Sequence, residues 1–390
     1  TYNSENFSHQ AITPLKQLSQ NHYLLELFHG PTLAFKDMAL QFFGNLLDKI
    51  LTKRNERAII LGATSGDTGS AAIHGCRDCH NVHIFILHPY QKITEIQRLQ
   101  MTTAYSDVIH NIALRCDFDK CQDFIKSLFR NNDFIKEGTH LIAVNSINWT
   151  RLMAQIVYYF YAAFSLGAPH KTLNFSVPTG NFGDILAGYF AKQMGLPINK
   201  LIIATNENDI LTRFINHNSY TLEKLKHTIT PSMDIQVSSN FERLLYMMHD
   251  SDGAKIKQLM EQFKKTGSLS VAPEILDKIK KDFISYSANE EIICQTMKET
   301  HQNTGEIIDP HTAIGVYASN EFLKENPDAE IVTLATAHPA KFPISLEKSN
   351  LKLDKMPKAL EGIFSKEEKY DILNADIEKV SNYIIKHFNA

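Results

Sequence analysis

The stretch HGPTLAFKDMALQ, starting at His29, contains one lysine, Lys36, between Phe35 and Asp37. Apolar neighbours disfavour an ammonium, and desolvation lowers a lysine's pKa, so a neutral amine becomes available as nucleophile and base. The same pattern is met by a lysine that lays its stem along a helix start and keeps its charge in water. Which of the two applies depends on what the rest of the chain supplies.

Three loops have residue types suited to chemistry. GATSGDTGSAA, Gly62–Ala72, runs from a strand into a helix; its small residues let backbone N–H groups approach an anion, and Thr64, Ser65 and Thr68 add hydroxyls. It lacks the lysine of a P-loop, the G-x-G-x-x-G spacing and the serine elbow of hydrolases. A tight turn capped by its own hydroxyls meets the pattern as well. SVPTGNFGDILAG, Ser176–Gly188, again feeds a strand through a glycine-bracketed turn into a helix, and Gly180 and Gly183 free the backbone to cup a phosphate. LATAHPAKF, Leu334–Phe342, ends a strand at Thr336; by itself it is a buried hydroxyl at a strand end. An imine-forming lysine together with a phosphate-cupping glycine turn points to an aldehyde carrying a phosphate, which is pyridoxal 5′-phosphate, an electron sink that a protein positions and tunes.

The elements that must carry these loops are legible as alternation. RAIILGA, VHIFILHP, VIHNIAL, HLIAVNS, TLNFSVPTG, KLIIATNE and AEIVTLATAHPA read as buried strands. Between them AAIHGCRDC, ITEIQRLQMTT, FDKCQDFIKSLFR, WTRLMAQIVYYFYAAFSLG and DILAGYFAKQMG read as helices. Strand, glycine turn and helix in repetition predict parallel sheets covered on both faces, with ligands at the carboxyl ends of the strands. The region 220–302 is helix-rich and polar, a peripheral elaboration.

The bulk numbers agree. The 390 residues exceed what one core usually holds, which predicts two lobes. A composition of 43% hydrophobic and 21% charged residues with 17 Gly and 13 Pro is that of an ordinary globular protein. A net charge of −3 and scattered basic residues argue against a nucleic-acid or lipid partner. No stretch reaches the roughly 18 apolar residues of a membrane span, and TYNSENFSHQ is not a signal peptide. Five cysteines read as reduced thiols, so the expected compartment is the cytoplasm. CRDCH, Cys76–His80, matches the c-type haem pattern but sits in a helix of a chain with no export signal; free thiols are expected, and no metal. The run YYFYAAF, Tyr158–Phe164, is expected in the core, and the EEKYD and KLKH clusters on solvated faces.

ELFHGPTLAFKD, ATSGDTGSAA, PTGNFGD and ATAHPAKF, in this order and spacing, resemble the threonine synthase family, within the tryptophan synthase β-like fold (fold type II) of pyridoxal-phosphate enzymes. The resemblance runs from Glu26 to Phe342. It implies an α/β fold of two lobes, each a mostly parallel sheet flanked by helices, with the active site between them: 28–145 as the smaller lobe, 1–27 plus 146–390 as the larger. The implied reaction takes O-phospho-L-homoserine and water to L-threonine and phosphate, in a monomer or homodimer. Lys36 matches the Schiff-base lysine, with Phe35 beside it, and its freed amine serves as general base and acid at Cα and the neighbouring carbons. Gly180, Asn181, Phe182, Gly183 and Asp184 match the cofactor phosphate cradle, and Thr336 the neutral group at the pyridine nitrogen. Asp67 falls where related enzymes place an Asn facing the cofactor's 3′-oxygen. Thr64, Ser65, Gly66 and Thr68 match a site for substrate anionic groups, Ser146, Asn148 and Arg151 a second patch, and Lys341 a candidate for the substrate phosphate. Family members commonly carry a longer segment before the first motif, so a further N-terminal stretch is expected in the full protein. The same motifs serve a threonine-synthase-like phospho-lyase that releases a keto acid. Another type II enzyme, such as a dehydratase, is a further alternative, although AFKD favours the first reading.

Overall fold

The computed structural model describes residues 1–64, 66–131, 135 and 137–388. The chain forms two compact units, Thr1–Gln10 with Gly30–Arg151 and Met356–Ala390, and Ala11–His29 with Leu152–Lys355.

The first unit is built on a five-stranded sheet, in the order Asp371–Leu373, Ile109–Leu114, Val82–Pro89, Arg57–Ala63, Thr139–Ala143, with every neighbouring pair parallel. Its central strands are buried on both faces, which is why they read as unbroken apolar runs. Period-two alternation then divides their side chains. Ala58, Ile60, Ile84 and Ile86 pack with Leu40, Phe43, Ala72 and Cys76 on one face. Ile59, Leu61, Phe85 and Leu87 pack with Cys121, Phe124 and Leu128 on the other.

The described residues from 356 to 388, which the resemblance places in the larger lobe, group with this first unit. The short strand Asp371–Leu373 pairs with Ile112–Leu114, and the helix Ile377–Phe388 buries Val380, Ile384 and Phe388 in the second face. No local pattern in that tail says which sheet it joins.

The second unit holds a six-stranded sheet, in the order Leu15–Ser19, His22–Glu26, Ile331–Ala335, Leu173–Pro178, Ile198–Thr205, Phe283–Ser287. The first two strands form an antiparallel hairpin and the remaining pairs are parallel. The hairpin is absent from the sequence reading because Leu15–Ser19 is a half-exposed edge with little apolar content. The region 220–302 contains the helices Phe241–Met248, Gly253–Thr266 and Pro273–Asp282 and most of Glu290–Thr304. It also supplies the edge strand Phe283–Ser287 of the main sheet, so it is not wholly peripheral. Among the described residues no helix is long and apolar enough to cross a membrane, and no group of three or more His, Cys, Asp or Glu is placed to hold a metal ion.

Candidate active site

In the first unit Lys36 opens the 19-residue helix Lys36–Arg54, and the GPTLAFKD motif is the device that starts it. Asp37, fully buried in the first turn, accepts from the Thr32 backbone N–H (2.8 Å) and hydroxyl (2.7 Å). A carboxylate there also suits the positive end of the helix dipole. Gly30 lies against it: a Cβ on Gly30 would stand 2.5 Å from the Asp37 side chain, so the position admits no larger residue. The fold thus sets the Lys36 stem at a fixed place, with its side chain 12% exposed. Nζ sits 4.6 Å from the Phe35 ring centroid and 3.4 Å from Oδ2 of Asp67. Asp67 Oδ1 accepts from Gln97 Nε2 at 2.8 Å, so the carboxylate is aimed from both sides. The ammonium in an apolar run is therefore a paired, largely enclosed group.

Asp67 begins the helix Asp67–Cys76, and the anion-loop residues before it divide in their roles. The Thr64 hydroxyl oxygen accepts from the N–H groups of Gly66 and Gly69, both at 3.0 Å, so its lone pairs serve the turn and only its hydrogen is left to give. Gly66 adopts φ +144°, a backbone region that glycine tolerates, with Gln97 packed where a Cβ would point. Thr68 is half-buried and its hydroxyl makes no hydrogen bond among the described residues. Ser65 lies outside the described residues. In the second patch Asn148 is a helix cap, donating to Ala143 O (3.1 Å) and accepting from Thr150 N–H (3.0 Å). Arg151 is buried; Nη1 donates to Val144 O at 3.1 Å, while Nε has no partner among the described residues, and burial pushes its pKa down to about 10. A buried guanidinium with an open N–H favours an anion. Ser146 stands beside them, half-buried. Cys76 and Cys79 are buried in the core.

In the second unit the strand Leu173–Pro178 leads through Gly180–Phe182 into the helix Gly183–Gln193. The backbone N–H groups of Gly180, Asn181, Phe182 and Gly183 find no protein acceptor among the described residues. Consecutive unfilled donors at a helix start form an anion nest. Phe182 holds φ +62°, a left-handed conformation that costs a non-glycine residue about 1 kcal/mol or more. Its ring offsets that cost by packing on Phe241 (centroids 5.6 Å apart) and Phe283 (5.8 Å).

Asp184, expected in the cradle, faces inward: its Oδ1 accepts from the Tyr158 hydroxyl and, at 3.0 Å, from the Tyr159 hydroxyl, which also reaches Asp184 O. It ties the helix Gly183–Gln193 to the helix Trp149–Ser165. The aromatic run is accordingly mixed: Tyr158 and Tyr159 are buried, while Tyr161 and Phe164 are exposed.

Thr336 follows the strand Ile331–Ala335. It is buried, its N–H donates to Thr312 Oγ1, and its hydroxyl makes no hydrogen bond among the described residues. Lys341 is almost wholly buried in the turn beyond. His338 beside it has its pKa pushed down to about 4, by burial first and by nearby His29 second, so it stays neutral at ordinary pH.

Sequence reasoning missed Gln97, the Tyr158 and Tyr159 hydroxyls, and the SSNFER segment Ser238–Arg243 that backs the Gly180–Phe182 turn. Its one signal was a polar run placed directly before an amphipathic helix. The donor set fits pyridoxal phosphate: one enclosed amine for an aldehyde, a nest of N–H groups for a phosphate, and a neutral hydroxyl for a ring nitrogen.

Comparison with known proteins points the same way. A family model described as pyridoxal-phosphate dependent enzyme matches residues 7–337, and one described as threonine synthase, C-terminal, matches residues 312–384. The chain is 52% identical to a threonine synthase of Pseudomonas aeruginosa, over 98% of this chain and 81% of that one. It is 34% identical to a threonine synthase-like 2 protein of Xenopus laevis, over 97% and 81%. The crystal structure of pyridoxal-phosphate-bound threonine synthase from Brucella melitensis superposes with a TM-score of 0.94 at 43% identity, covering 99% of this chain and 82% of that one.

Proposed function

The chain belongs to the threonine synthase family of fold type II, pyridoxal-phosphate-dependent enzymes, and with that as premise we propose how its own residues turn O-phospho-L-homoserine and water into L-threonine and phosphate. Its activity is the threonine synthase activity of that family. When bound, pyridoxal phosphate supplies an electron sink for the negative charge that develops on carbons near the substrate's amino group.

Lys36 is the amine that holds the cofactor aldehyde. Its free amine can take the substrate's Cα proton and later move protons at the neighbouring carbons as the γ-phosphate leaves and water adds at Cβ. Asp67 orients that amine and steadies its charged form. The N–H groups of Gly180–Gly183 receive the cofactor phosphate without a lysine or arginine. Thr336 would offer the ring nitrogen a neutral hydroxyl, which, unlike a carboxylate, would not favour a protonated ring, and proton placement by Lys36 would then select the product. Thr68, Arg151, Ser146 and Lys341 take the substrate's anionic groups. Asn148 holds the turn that presents Arg151, and Thr64 and Gly66 the turn that presents Thr68. We take the protein to act on this small molecule in the cytoplasm, as a monomer or homodimer.

The observation that carries the reading is the 52% identity over 98% of the chain, with Lys36 at the head of its helix as the enclosed amine. The test is product analysis. Purified protein with pyridoxal phosphate and O-phospho-L-homoserine should release threonine and phosphate in equal amounts, and Lys36→Ala should lose both turnover and the visible absorbance of the bound cofactor. A keto acid in place of threonine would instead identify a phospho-lyase.

A further inference from the structure

Four consecutive residues, Ser238–Phe241, run along the back of the Gly180–Phe182 turn, and each engages it. The Ser238 hydroxyl donates to Gly180 O at 2.7 Å. The Ser239 hydroxyl donates to Asn181 Oδ1 at 3.2 Å. Asn240 donates to Asn181 O twice, from its backbone N–H at 3.1 Å and from Nδ2 at 3.0 Å. The Phe241 ring meets the Phe182 ring edge to face.

A peptide unit is planar and trans, so its C=O and the following N–H point in opposite directions. Anchoring Gly180 O from behind therefore aims the Asn181 N–H forward. Anchoring Asn181 O twice does the same for the Phe182 N–H. Those two N–H groups are among the donors left unfilled at the nest. Asn240 is fully buried, and its amide orientation is itself decided: Arg243 Nη1 donates to Asn240 Oδ1 at 2.7 Å. A guanidinium carries donors alone, so the amide oxygen must face it and Nδ2 must face Asn181 O.

We propose that Ser238 and Asn240, the latter oriented by Arg243, are positioning residues that preset the direction of the phosphate-binding N–H groups. The nest is held rigid before the cofactor arrives, and the cost of ordering it falls on folding and not on binding. This inference rests on the reading that the Gly180–Gly183 turn takes the cofactor phosphate.

The experiment compares dissociation constants of pyridoxal phosphate and of pyridoxal, which lacks the phosphate, for the full chain and its Asn240→Ala and Ser238→Ala variants. Asn240→Ala should weaken pyridoxal phosphate by ~10-fold or more while leaving pyridoxal unchanged. The phosphorus NMR line of the bound cofactor should move toward its free-solution position. Ser238→Ala removes one oxygen without adding bulk and should show the same split to a smaller degree, with Ser238→Thr restoring wild-type preference. Parallel loss of both ligands, or unchanged preference for the phosphate in both variants, would overturn the inference. Wild-type protein that binds pyridoxal as tightly as pyridoxal phosphate would instead sink the reading of the turn itself.

Discussion

The backbones of Gly44 and Gly75 touch. A Cβ on Gly44 would lie 1.9 Å from the carbonyl oxygen of Gly75, and one on Gly75 would lie 2.3 Å from that of Leu40. The helix headed by Lys36 and the helix headed by Asp67 are thereby packed more closely than side chains would allow, which brings the ammonium and the carboxylate within 3.4 Å.

Gly44→Ala tests this contact. Alanine raises helix propensity by about 1 kcal/mol, but the overlap is with backbone that has nowhere to go. The steric cost should win by about 2 kcal/mol or more, read as a lower Tm of the cofactor-free protein. Loss of turnover should accompany it as Lys36 and Asp67 separate. A Tm equal to or above wild type would refute the close-contact account.

Asp67→Asn keeps an oxygen for Gln97 Nε2 and removes the charge that faces Lys36. With the pair this enclosed, leaving the ammonium without its carboxylate should destabilise the cofactor-free protein by about 1–3 kcal/mol. The kcat/KM should drop at least tenfold, a loss of about 1.4 kcal/mol or more in transition-state stabilisation. Gln97→Ala, which releases only the far oxygen, should cost less on both measures. Unaltered kinetics in Asp67→Asn would remove Asp67 from the site.

His22 links pH to stability in the second unit. Its ring is buried and hydrogen-bonded to Thr333 Oγ1 at 2.8 Å, and burial pushes its pKa from 6.5 down to about 4. A depressed histidine means that between these values the unfolded chain binds the extra proton. The stabilisation is therefore complete above pH 6.5 and is lost as pH falls toward 4, by up to about 3 kcal/mol. Denaturant midpoints at pH 7 and pH 5 should differ accordingly, and His22→Gln should shrink the difference. An unchanged pH slope in the variant would show that His22 does not titrate as described.

Much of this protein is written locally. Lys36 among apolar neighbours, the glycine turn at Gly180 and the alternation of buried strands with helices are short-range patterns, since small residues, helix starts and strand periodicity act within a few positions. The tertiary structure decided what those patterns are worth. Thr64 became a cap for Gly66 and Gly69, and Asp184 turned inward to Tyr158 and Tyr159. The tail around Asp371–Leu373 joined the sheet of the first unit, and Asn240 was brought against Asn181 across 59 positions of sequence. Each outcome depends on which distant backbone group happens to need a partner once the sheets have formed, and a hydrogen-bond donor in sequence carries no record of the acceptor it will meet.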